Sequence, residues 1–199
     1  MQTNKEIRAL ARQDLSGNWT QPVLTTLVYT AITAVLSSIP IVGFIGTLLV
    51  GLPLGYSFYL VFLRFVRGEK DNMIPRIFDC FQDYGKSFGI SFMVFLYTFL
   101  WSLLLIIPGI IKSLSYSMSY FISKDHPEYT IDQCITSSMK MMDGHKMDLF
   151  LLSLSFIGWI LLSILTLGIG LLWVIPYMYT SIAHFYEQLK DEYSENQFK

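Results

Sequence analysis

Between Asp14 and Arg64 the chain carries no charged residue, leaving an uninterrupted run of 49 positions from Leu15 to Leu63. A bilayer core takes about 20 helical residues per crossing, so such a run predicts two helices and a turn. Ser37-Ser38-Ile39-Pro40-Ile41-Val42-Gly43 supplies the turn, because Pro40 has no N–H to donate and Gly43 relaxes the backbone. A second window, Phe88 to Ile122, contains one charge, Lys112, and divides at Pro108-Gly109. A third, Leu149 to Tyr186, has no Asp, Glu, Lys or Arg and breaks at Leu167-Gly168-Ile169-Gly170. The pattern predicts an all-α membrane protein of six transmembrane helices in three hairpins: about 21–39 with 44–66, 88–107 with 109–123, and 148–166 with 170–188.

A short charged segment of helical period precedes each pair. In the first, Ile7, Leu10, Ala11 and Leu15 share a face opposite Lys5, Arg8 and Arg12. In the second the stripe is Ile74, Ile77, Phe78, Phe81 and Tyr84, and in the third Ile131, Cys134, Ile135 and Met142. Thr3 with Glu6 and Thr130 with Gln133 have capping-box spacing, and Asp71 or Asn72 is placed to cap the middle copy. Gly17, Gly85 and Gly144 follow, each suited to the left-handed corner that ends a helix. Each pair is followed by a charged cluster: Arg67 to Asp71, Lys124 to Glu128, and Lys190 to Glu192. The reading is one polytopic domain over 1–199 with repeat units of about 3–70, 71–128 and 129–192, arranged in pseudo-threefold fashion, and a disordered tail at 193–199.

Charge sets the orientation. The three expected turns are short and uncharged, with Lys112 the single cation near them, so the positive-inside rule puts both termini in the cytoplasm. Cys80 and Cys134 then face a reducing compartment as free thiols. Composition agrees with a bilayer as solvent: 53% of the 199 residues are hydrophobic and only 15% charged, too few polar residues to cover a soluble surface. The formal net charge of −1 gives no basic excess for nucleic acid.

Glu6-Ile7-Arg8-Ala9-Leu10-Ala11-Arg12, Leu15-Ser16-Gly17-Asn18-Trp19, Gly144-His145-Lys146, Phe156-Ile157-Gly158-Trp159, Leu167-Gly168-Ile169-Gly170, Pro176-Tyr177 and Phe185-Tyr186 together resemble the bacterial integral-membrane family known as domain of unknown function 975. The resemblance implies a multi-span protein of the bacterial cytoplasmic membrane and supplies no activity or catalytic residue.

No phosphate-binding loop, metalloprotease or nucleophile-elbow motif is present, and the glycines follow membrane turns rather than a strand entering a helix. His126, His145 and His184 are far apart, and Asp143 with His145 sit two residues apart, on different helical faces. The sequence therefore points to no catalytic, cofactor or metal site. Ionisable groups inside a bilayer are costly, which makes Lys112 the leading candidate, near the outer mouth of a polar path with Ser113, Tyr116, Ser117 and Tyr120 along the fourth span. Serines also serve close helix packing, and a lysine can snorkel to the interface. Pro53 and Pro176 are candidate helix bends, since proline removes a backbone bond and transporters use broken helices. Two functions fit: a non-enzymatic accessory or scaffold component, or a small transporter or channel using the polar path. The implied partners are the lipid bilayer and either another membrane protein or further copies of the chain.

Overall fold

Both capping boxes form. Thr3 opens helix α1 (Asn4–Leu15) by exchanging hydrogen bonds with Glu6, and Thr130 opens a later helix by the same exchange with Gln133. The computed structural model describes residues 2–38 and 40–197. These fold into helices without a strand: after α1 come α2 (Thr20–Ser37), α3 (Pro40–Gly46), a π-helical turn (Thr47–Gly51), α4 (Leu52–Val66), α5 (Met73–Arg76), a 3-10 turn (Ile77–Phe81) and α6 (Tyr84–Leu104). Then follow α7 (Ile106–Tyr116), α8 (Ser119–Asp125), α9 (Ile131–Met141), α10 (Lys146–Leu154), α11 (Ile157–Leu165) and α12 (Leu171–Gln197). Ile39, in the first expected turn, and Phe198 and Lys199 lie outside the described residues.

Among the described residues three continuous helical stretches, not six, are long and apolar enough to cross a membrane: Gly43–Val66, Tyr84–Leu104 and Lys146–Leu165. The other expected spans differ for local reasons. The fourth divides between α7 and α8 at Ser117-Met118, where the Ser138 hydroxyl donates to the Ser115 carbonyl at 2.8 Å and accepts the Met118 N–H at 3.1 Å. The first, α2, is diluted by five threonines, several of which turn their hydroxyls back to the carbonyl four residues earlier. The last is the first part of α12, which carries on through its polar half to Gln197.

The charged segments are consumed inside the molecule. Ile7, Ala11 and Leu15 of α1 are fully buried, and α1 packs on α12. Cys134, Ile135 and Ser138 of α9 are buried, with α9 packed against α6, α7 and α8. The middle segment departs from its expected stripe. Asn72 takes a left-handed conformation (φ 56°), α5 lasts one turn, and the following 3-10 turn has three residues per turn. Ile77 and Cys80 therefore share the buried face, while Phe78, Phe81 and Tyr84 are left exposed. Gly17 and Gly144 hold the expected positive φ, but Gly85 lies within α6, which Asp83 caps instead.

Candidate functional site

The polar residues of the expected fourth span separate onto two faces. Ser113, Tyr116, Ser117 and Tyr120 line one cavity of about 320 Å³ together with Tyr59, Thr98 and Ser153. Lys112 is not among them. Its ammonium lies 5.0 Å from the centre of the Trp101 ring, and it lines a separate groove with Ser115, Thr136, Lys140, Asp143 and Lys146. It therefore lies beside the charged residues that lead into α10, on a face separate from the cavity. The serine hydroxyls are engaged by their own helix: Ser113 donates to the Ile110 carbonyl at 2.8 Å, Ser115 to Ile111 at 2.9 Å and Ser117 to Leu114 at 2.7 Å. Chemically the cavity offers tyrosine hydroxyls and apolar walls.

Pro53 leaves the Leu49 carbonyl, four residues earlier, without its helical donor. The Tyr84 hydroxyl supplies one across the interface, at 2.9 Å, next to the π-helical turn. Tyr84→Phe should cost about 1 kcal/mol, the ordinary worth of one hydrogen bond, read as a lower unfolding midpoint in detergent. Pro176 sits inside α12, followed by Tyr177, whose hydroxyl donates to the Arg8 carbonyl at 3.2 Å and ties α12 to α1.

The charged ends of α4, α8 and α12 meet in a latch that the spacing of charges did not reveal. Arg67 grips Asp125 with two bonds of 2.7 Å and reaches Glu187 through Nε at 2.7 Å. Lys190 Nζ donates to Asp125 at 2.8 Å, and the Tyr186 hydroxyl donates to the same carboxylate at 2.9 Å. Burial by itself would raise the Asp125 carboxyl, but the bonds from Arg67, Lys190 and Tyr186 outweigh it and hold the group well below the usual carboxylate range. The signal available in the sequence was the recurrence of a charged cluster after each apolar pair.

The histidines stay apart, each with its own carboxylate: His184 with Asp14 at 2.8 Å, His126 with Glu128 at 3.0 Å, and His145 between Asp148 at 3.5 Å and Glu192 at 3.6 Å. Asp143 pairs with Lys146 rather than with His145. Among the described residues no group of three or more His, Cys, Asp or Glu side chains is placed to hold a metal ion. Cys80 and Cys134 are free and buried, and burial pushes both thiols up. Alkylation at neutral pH should therefore be many-fold slower for both in the folded protein than in denaturant, as mass spectrometry of timed samples would show.

No curated protein and no solved structure matches the chain. One family profile does, over residues 1–112 and again over 93–193. With matches extending along nearly the whole length, the chain belongs to the family described as protein of unknown function (DUF975).

Proposed function

We propose that the protein is a non-enzymatic scaffold or accessory component of a bacterial cytoplasmic membrane. In this reading six apolar helical segments form three hairpins, and both termini lie in the cytosol. The observation that carries the scaffold reading is the filling of the space where α4, α8 and α12 converge. Phe58 and Phe62 of α4 meet Tyr179 of α12 at ring-centre distances of 4.8 and 5.7 Å. Tyr59 meets Tyr120 and Phe121 of α8 at 5.2 and 5.9 Å, and Phe121 stacks on Tyr186 at 4.9 Å. A pore along this axis would have to pass through packed rings and then through the Arg67–Asp125 latch.

A further feature supports the membrane part. Residues Leu103 to Ile107, where α6 turns into α7, are 67 to 76% exposed and wholly apolar, as befits lipid rather than water. Affinity purification from native membranes in mild detergent, read by native mass spectrometry, tests the function. A stoichiometric protein partner is expected. A chain recovered alone or with copies of itself, and able to pass solutes in liposomes, would overturn the scaffold reading.

The second reading, a small transporter, keeps one observation in its favour: the hydroxyl-lined cavity of about 320 Å³ between α6, α7, α8 and α10. Under it, Ser117→Ala with Tyr120→Phe should reduce a reconstituted flux; under the scaffold reading there is no flux to reduce.

A further inference from the structure

A different cavity, of about 290 Å³, is closed by α4, the 3-10 turn, the start of α6 and the end of α8. We propose that it binds a phosphate group. The site goes beyond the scaffold reading and stands independently of how many helices cross the bilayer.

Four cations from four elements converge there, Arg64, Arg76, Lys86 and Lys124, against two carboxylates, Asp79 and Asp83. Arg64 is matched by Asp79 at 2.6 Å, and Arg76 by Glu69 at 2.7 Å. Neither Lys86 nor Lys124 forms an ion pair among the described residues, so their two charges outweigh Asp83, whose carboxylate accepts the Lys86 backbone N–H at the head of α6. Lys86 is held rather than neutralised: its ammonium donates to the backbone carbonyls of Pro127 at 2.6 Å and His126 at 3.4 Å. That ordering lowers the entropy cost of presenting a third N–H to a ligand.

The second, independent observation is Ser57. It is 1% exposed, it lines this cavity, and its hydroxyl has only the Cys80 thiol, a weak partner, beside it. A buried hydroxyl served only by a thiol is under-satisfied, and an incoming oxygen acceptor improves on it. An acceptor-rich anion meets both demands, the excess of positive charge and the under-used donor. Arginine and lysine together around one pocket suit the several oxygens of a phosphate. The same chemistry comes from two sources, a phospholipid headgroup and a free phosphorylated molecule, and basic pockets between membrane helices are known to take the former.

The chain carries its own reporter. Cys80 lines the cavity and Cys134 does not, so the ratio of their alkylation rates isolates occupancy from global opening. The full-length protein is placed in maltoside micelles, which hold no phosphate, alone, with soluble glycerol 3-phosphate, or with added phosphatidylglycerol. A phosphate in the site should slow Cys80 relative to Cys134. The double variant Lys86→Gln, Lys124→Gln should weaken the protecting ligand by about tenfold or more, the scale of losing charged hydrogen bonds. Lys140→Gln, which removes a cation outside the cavity, should leave protection unchanged. Protection by glycerol 3-phosphate assigns the site to a free phosphate compound; protection only by phosphatidylglycerol assigns it to a headgroup. An unchanged ratio in both arms, or equal protection of the double variant, would overturn the proposal.

Discussion

Asp125→Ala should destabilise the protein by about 1.5–3 kcal/mol, the usual worth of hydrogen bonds to a charged group. The Asp125 side chain is only 9% exposed and accepts from Arg67, Lys190 and Tyr186, so its loss leaves Arg67 facing Glu187 alone on that side. Lys190→Ala should cost far less, because that ammonium is 38% exposed and solvent can take over its role. Arg67→Ala combined with Asp125→Ala should be milder than the sum of the two, which a double-mutant cycle in detergent would measure. The pH dependence has a definite sign. Because the folded carboxyl titrates below its ordinary 3.8, the latch contributes fully above that value and is lost only as pH falls beneath it. Unfolding midpoints of the wild type should therefore fall steeply below about pH 4, and those of Asp125→Ala more shallowly.

Gly109→Ala should be the second costly change, by about 1–3 kcal/mol, as overpacking at a close helix contact. A methyl group there would lie 2.9 Å from Ser102 Cα and 3.0 Å from Ser102 Cβ, and closer still to the Ser102 hydroxyl. Ser102 cannot simply turn away, since its hydroxyl donates to the Thr98 carbonyl at 2.8 Å and its Cα is fixed by α6. The same contact recurs at Gly170, which faces Ser163 seven positions earlier just as Gly109 faces Ser102, and Gly43 meets the Leu36 carbonyl at the same separation. Gly170→Ala should thus behave like Gly109→Ala. Gly158→Ala provides the control: nothing lies within 4 Å of a methyl there, and alanine is the better helix former by about 1 kcal/mol. Comparing unfolding midpoints of the three variants checks the close approach without any assumption about a membrane.

How far the sequence alone reaches depends on whether a feature is local. Thr3–Glu6 and Thr130–Gln133 are contacts within one helical turn, and both formed as read. The positive φ of Gly17 and Gly144 is equally local. Gly85 misled because Pro75 and the left-handed Asn72 shorten α5, which moves the helix start to Asp83. Lys112 parts from Ser113 and Tyr116 for a tertiary reason: α9 packs against α7 and brings Lys140 beside it, on a face away from their cavity. Ser138 sits on the α9 stripe three residues after Ile135, so its burial was legible, but its role as the plug at Ser117-Met118 required knowing which helix lies opposite. The Arg67–Asp125–Lys190 latch joins residues more than fifty positions apart, and periodicity carries no information at that range.

Labelling of single introduced cysteines by a membrane-impermeant maleimide tests the three-hairpin topology most directly. Gln2→Cys and Ser38→Cys probe the two proposed sides, while native Cys80 and Cys134 are buried and contribute little background. On intact cells the account predicts reaction at position 38 and none at position 2 until the membrane is permeabilised. Reaction at position 2 on intact cells, or protection of position 38 until permeabilisation, would contradict it.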